Sequence, residues 1–152
     1  MKKKLRTLGW REWIHLEPLG LPPIKAKVDT GAKTSALHAF KVRKFTRGGV
    51  PWVRFHVHPD QHDASREVVC EAPVHDRRRV TDSGGHTQER YVIKVEARIG
   101  EQKLMIEMTL TNRDTMAFRV LLGRSAMKGV FIVDPRLSFC MGQPPFEPLQ
   151  PM

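Results

Sequence analysis

Apolar positions in this chain recur mostly at every second residue, the period at which a strand buries one face and wets the other. Ile24, Ala26 and Val28 alternate with Lys25 and Lys27 before the chain reaches Asp29-Thr30-Gly31. The same alternation runs through Val53, Phe55 and Val57, through Tyr91, Ile93, Val95, Ala97 and Ile99, and through Leu104, Ile106, Met108 and Leu110. Turn-forming clusters separate these runs: Gly48-Gly49 before Pro51, "TDSGGH" at 81–86, Gly100, and "TNRDT" at 111–115. Only "GRSAMKG", from Gly123 to Gly129, leaves room for a short helix, and the strand-like "VFIVDP" after it stops at Pro135. The pattern predicts an all-β domain with one short C-terminal helix. Strands so closely spaced are expected to curl into a small barrel or sandwich that leaves few edges exposed. The segment "MGQPPFEPLQPM" at 141–152 carries four prolines and reads as an extended, poorly ordered tail, which places a single domain at 1–140.

Length and composition agree with one core. A chain of 152 residues is large enough to bury roughly 70% of the surface its unfolded form exposes. With 40% hydrophobic and 28% charged residues it reads as an ordinary globular protein, and no apolar run approaches a membrane span. The start, "MKKKLRTLGWREW", is basic but is interrupted by Arg6, Gly9, Arg11 and Glu12, so it lacks the apolar core of a signal peptide and a cytoplasmic location is expected. Cys70 and Cys140 stand seventy positions apart and are expected to be reduced thiols. Charge changes the picture more. A net charge of +10 and a pI of about 10.1 favour acidic partners, among them nucleic acid and acidic polypeptides.

The candidate chemistry lies at the end of the first clear alternation. Asp29-Thr30-Gly31 suits a hairpin turn, and it equally suits a carboxylate held for catalysis. About ninety positions later an apolar strand, Val120 to Leu122, runs into Gly123-Arg124 and the short helix. This pairing of Asp-Thr-Gly-Ala early with Leu-Gly-Arg and a helix late resembles the retropepsin fold of aspartic proteases. The chain further resembles a bacterial group of retropepsin-like proteins catalogued as ATP-dependent zinc proteases. The likeness covers roughly residues 10 to 138 and is carried by "KVDTGAKTSALHA", "WVRFHVHP", "VVCEAPVHDRRRVTDSGG", "ERYVIKV", "IEMTLTNRDTM" and "LLGRSAMKGVFIVDP", which lie between Lys27 and Pro135. The resemblance implies a closed acid-protease β-barrel.

It also implies a mechanism. Two carboxylates sharing one proton serve as base and acid in amide hydrolysis, because like charges a few ångströms apart cannot both ionise. One Asp-Thr-Gly occurs here, so the reading calls for a homodimer with Asp29 of each protomer at a two-fold axis. In that arrangement Thr30 braces the two loops, Gly31 permits the turn, and Leu121, Leu122, Gly123 and Arg124 support the loop from behind. Retroviral retropepsins place an acidic residue four positions after the catalytic aspartate, paired with the arginine of Gly-Arg. Lys33 stands there in this chain, so Arg124 needs another partner, with Asp114, Asp134 or solvent as the choices.

Two hairpins could cover a substrate: the one at Gly48-Gly49, and "DRRRVTDSGGHTQER", which carries Arg77, Arg78, Arg79 and Arg90 around Gly84-Gly85. Four guanidiniums beside a cleft would hold carboxylates bidentately, though a solvated charged hairpin would look the same. The resembled group is associated with enzymes that add glutamates to proteins, which implies trimming of acidic or glutamate-rich tails. No metal or cofactor is expected. His56 and His58 share a strand face with Arg54 and lie near His62, Cys70, His75 and His86, but no His-Glu-x-x-His or Cys-x-x-Cys pattern organises them, and no phosphate-binding Gly-x-x-x-x-Gly-Lys loop exists. The alternatives are a basic RNA-binding or ribosome-associated module, using Lys2 to Lys4, the Arg77 to Arg79 run and Trp10, Trp13 or Trp52, and a non-catalytic dimeric peptide-binding scaffold on the same fold. Loss of Asp29 separates the classes: a binding module tolerates it, and a protease does not.

Overall fold

Alternation becomes strand with its apolar face inward: Val53, Phe55 and Val57 are buried while Arg54 is exposed, and Ile93, Val95, Ala97 and Ile99 are buried while Lys94 and Glu96 are exposed. The computed structural model describes residues 4–81, 84–112 and 117–146. In chain order its strands are β1 Arg6–Leu8, β2 Arg11–Ile14, β3 Ile24–Asp29, β4 Ser35–His38, β5 Phe40–Arg47, β6 Val50–Val57, β7 Val68–Pro73, β8 Asp76–Thr81, β9 Thr87–Ile99, β10 Gln102–Thr111, β11 Val120–Gly123 and β12 Phe131–Val133. One turn of α-helix, α1 Arg124–Met127, follows β11.

A seven-stranded sheet in the order β2-β3-β11-β4-β10-β9-β8 forms the body, a three-stranded sheet β5-β6-β7 stands beside it, and β1 pairs with β12 in parallel. One continuous core, including Phe55, Leu37, Ile93, Met108 and Leu122, unites the body with the three-stranded sheet. Each fully buried side chain of this size contributes about 1.5–3 kcal/mol relative to exposure. The alternation breaks over the longest run in the second half of β10, where Met108, Thr109, Leu110 and Thr111 are all buried. There β10 pairs in parallel with β4 and lies under α1, so neither face reaches water.

The closed barrel expected from the sequence is not present as a continuous ladder among the described residues. Beyond the end of β2, His15 and Arg98 of β9 exchange two backbone hydrogen bonds of 2.8 and 2.9 Å, and the contact stops there. The reason is local: after Leu16 the chain turns into a short 3-10 helix at Glu17–Leu19 with Pro18 inside it, which ends the pairing after one residue. The sheet therefore remains open, pinned at one bridge.

Residues 141–146, assigned by sequence to the tail, lie against the domain. Glu12 on β2 is fully buried, and its carboxylate accepts the backbone N–H groups of Gly9 at 2.7 Å, Cys140 at 2.9 Å and Met141 at 3.0 Å. Met141 in turn packs on the core. Gly100, at a φ of 59°, has no room for a side chain, since a Cβ there would sit 2.5 Å from the Met141 carbonyl oxygen. A buried carboxylate is costly unless hydrogen-bonded, and here three donors from two distant parts of the chain converge on one.

Candidate active site

β3 is held on both edges, antiparallel to β2 and parallel to β11, and it delivers Asp29 level with Gly123. Asp29 is half-buried, whereas Thr30 and Gly31 are exposed. The Asp29 carboxylate accepts the Gly31 N–H through Oδ1 at 3.0 Å, and the Ala32 N–H reaches back to the Asp29 carbonyl at 3.2 Å. These two bonds make a tight turn that leaves the other carboxylate oxygen, Oδ2, without a hydrogen-bond partner among the described residues.

β11 and α1 clamp this turn. The Arg124 N–H donates to the Ala32 carbonyl at 2.8 Å, the Ser125 N–H to the Lys33 carbonyl at 3.0 Å, and the Gly123 N–H to the hydroxyl of buried Ser35 at 2.9 Å. Leu122 lies fully buried level with Val28. Among the described residues, Arg124 is partnered by backbone carbonyls and not by Asp134. Its guanidinium donates to the Gly31 carbonyl at 3.1 Å and, at 3.4 Å, to that of Thr30. Asp134 is engaged elsewhere, by Arg136 at 2.8 and 3.0 Å, which holds its carboxyl down at about 2, and Asp114 lies outside the described residues. Backbone carbonyls need no acidic side chain after the loop, so a lysine at position 33 is compatible with this clamp.

Gly123 is required at its place. A Cβ there would meet the Thr34 carbonyl carbon at 2.6 Å, between backbones that β3 and β4 both fix. Gly123→Ala is expected to destabilise the protein by about 3 kcal/mol, the upper range for overpacking, measured as a lower midpoint of urea unfolding with an unchanged slope.

The arginine hairpin is present as β8 and β9, with Gly84 and Gly85 near its tip and Gly85 at a φ of 83°. Its four guanidiniums do not form one cradle. Register puts Arg77 and Arg79 on the face of Tyr91 and Glu89, and puts Arg78 and Arg90 on the other. Arg77 pairs with Glu89 at 2.6 Å, and Arg78 pairs with Asp76 at 2.8 Å and Glu107 at 3.3 Å. Arg79 stands exposed. The Gly48-Gly49 turn joins β5 and β6, both glycines at positive φ.

Three of the histidines noted in the sequence, His56, His58 and His75, lie against carboxylates, and two of them also against a ring. His56 meets Glu67 at 3.1 Å, His58 meets it at 3.8 Å, and both rings pack on Phe40, while His75 meets Glu107 at 2.8 Å. Burial pushes the Cys70 thiol up to about 12, which leaves it inert as a nucleophile or ligand. The tryptophans are likewise partnered: Trp10 edge-on to Phe118, Trp13 stacked on Phe139, and Trp52 against Phe45 beneath Arg47.

The sequence profile of the family described as "Retropepsin-like aspartic endopeptidase RimB" matches residues 7–144, which include this turn and both strands that hold it. The chain belongs to the RimB-like family. Four curated relatives, each named "Probable alpha-L-glutamate ligase", align along nearly the whole chain. The protein of Shewanella halifaxensis is 47% identical over 136 residues and that of Parasynechococcus marenigrum 48% identical over 142. These alignments cover 90% and 93% of this chain but only 30% of either relative, so the RimB-like chain corresponds to under a third of those proteins. Among solved structures, Lpg0085 of Legionella pneumophila, a protein of unknown function, superimposes with a TM-score of 0.76 at 27% identity, covering 91% of this chain and 99% of that one.

Residues that sequence reading passed over are Ser35 and Glu12. Glu12 carried a signal, since it shares a strand face with Ile14 and Leu16, and a charge on an otherwise apolar face marks either an error of period or a satisfied buried group.

Proposed function

We propose that this RimB-like chain is an aspartic peptidase that works as a homodimer, with one Asp29 from each protomer forming a single dyad, and that it cleaves acidic, glutamate-rich polypeptides. The observation that carries the reading is the Asp29-Thr30-Gly31 turn, with its carboxylate fixed through one oxygen and its carbonyls clamped by Arg124. A second protomer would supply the other carboxylate, and Thr30, exposed beside it, would brace the paired loops. One Asp29 would then activate water while the other protonates the departing nitrogen.

The substrate class rests on two supports. The surface is strongly basic, with a net charge of +10. The curated relatives are named for a ligase of α-L-glutamate, an enzyme whose product would be a glutamate-extended chain. In this reading the β8–β9 hairpin closes over the substrate and Arg79, unpaired with any carboxylate among the described residues, makes the largest contribution of the hairpin arginines, with Arg77, Arg78 and Arg90 behind it. The working compartment is the cytoplasm, in keeping with the unpaired thiols of Cys70 and Cys140.

The test is cleavage of a glutamate-tailed peptide followed by mass spectrometry at increasing salt. Expected is release of shortened products, at a rate that falls with salt and that falls more for Arg79→Gln than for Arg77→Gln. Salt-sensitive binding of RNA without any peptide cleavage would replace the peptidase with a basic binding module.

A further inference from the structure

Most arginines with a defined partner on this surface are engaged by neighbouring carboxylates: Arg47 and Arg54 share Glu71, Arg66 holds Asp60, Arg77 holds Glu89, and Arg136 holds Asp134. Beside the Asp29 loop the pattern changes. A concave pocket of about 490 Å³ opens between the loop and α1, with Lys33, Arg124 and Lys128 around it and Met127, Phe131 and Val133 beneath. Lys33 and Lys128 are exposed and have no carboxylate partner among the described residues. Arg124 donates to the carbonyls of Thr30 and Gly31, which fixes its position, and it has no carboxylate partner among the described residues.

Three cations around an apolar floor match one kind of side chain: a short methylene stem ending in a carboxylate. The stem would cover Met127 and Phe131, and the carboxylate would meet the ammonium groups in charge-assisted hydrogen bonds. A nucleic-acid backbone would match the charge but not the floor, which offers no stack of aromatic faces for bases. Thr30 also lines the pocket, so a residue seated there lies one position along the loop from the carboxylate proposed to react.

We infer that this pocket is a carboxylate subsite, in which Lys33 and Lys128 hold an acidic side chain of the substrate beside the scissile bond and determine specificity. The assignment rests on the peptidase reading of the Asp29 loop and adds to it a second set of cations, separate from the hairpin.

Binding measured without turnover separates the two ideas. In an Asp29→Asn background, fluorescence anisotropy of labelled hexaglutamate is compared with and without Lys33→Gln plus Lys128→Gln, at low and at moderate salt, with sedimentation alongside. The double substitution is expected to weaken binding about tenfold or more and to flatten its salt dependence, since each lost charge-assisted bond is of that order. Lys33→Arg plus Lys128→Arg is expected to retain most of the affinity. Unchanged affinity, an equal loss for an RNA oligonucleotide, or a loss that only tracks a change in oligomeric state would overturn the subsite. A wild-type protein that binds hexaglutamate through these lysines yet cleaves no peptide would overturn the peptidase and leave the subsite standing.

Discussion

Asp29→Asn is expected to abolish peptide hydrolysis, by about a thousandfold or more, while the protein remains folded. An asparagine keeps the volume of the side chain and an Oδ1 that still accepts the Gly31 N–H, so the turn and its clamp by Arg124 survive. What it removes is a group able to take and return a proton, and because each protomer supplies one Asp29, a homodimer of the variant carries two carboxamides and has neither base nor acid. The assay pairs cleavage of a glutamate-tailed peptide with a melting curve. Full activity in a folded Asp29→Asn protein would exclude an aspartic mechanism at this loop.

Glu12→Ala is expected to produce the largest loss of stability of any single change considered. It deletes the common acceptor of the Gly9, Cys140 and Met141 N–H groups, leaving Gly9 without that partner in a buried place and Cys140 and Met141 in a part-buried one. Unsatisfied buried donors cost about 1–3 kcal/mol each, so a loss of several kcal/mol is expected, a large part of the 5–15 kcal/mol typical of a domain. Glu12→Gln keeps one acceptor oxygen and should fall between the two. Thermal unfolding checks the magnitude, and alkylation of Cys140 checks the place. Burial and the Glu12 charge hold that thiol above its usual range, so removing Glu12 should speed its reaction both by lowering its pKa and by releasing the segment. A melting temperature within a degree or two of wild type would show that the three amides find water at no cost.

The strands were legible because one face of each is buried and the other wet: Val53 to Val57 and Ile93 to Ile99 follow that rule without exception at their apolar positions. The Asp29 loop and its support by Leu122 and Gly123 were legible as a resemblance, and the parallel register of β3 with β11 brings those residues together. Three features depend on spatial neighbours that no local pattern reports. Arg124 binds backbone carbonyls, which every sequence possesses and none advertises. The run Arg77 to Arg79 looks like one basic patch in the sequence, but pleating sends alternate guanidiniums to opposite faces, where Glu89 across the hairpin engages Arg77 and Asp76 on the same strand engages Arg78. β1 and β2 were unassigned because their pattern is short and broken by Gly9, and because β1 is completed by β12, more than a hundred residues away.

The central claim is one active site shared by two protomers, and subunit mixing tests it most directly. Wild-type chains are allowed to exchange with a ninefold excess of Asp29→Asn chains, and hydrolysis is measured per wild-type chain. Random pairing leaves roughly one wild-type chain in ten with a wild-type partner, so activity per wild-type chain is predicted to fall about tenfold. Activity per wild-type chain that stays constant after exchange would contradict a shared dyad and place both catalytic groups within one chain.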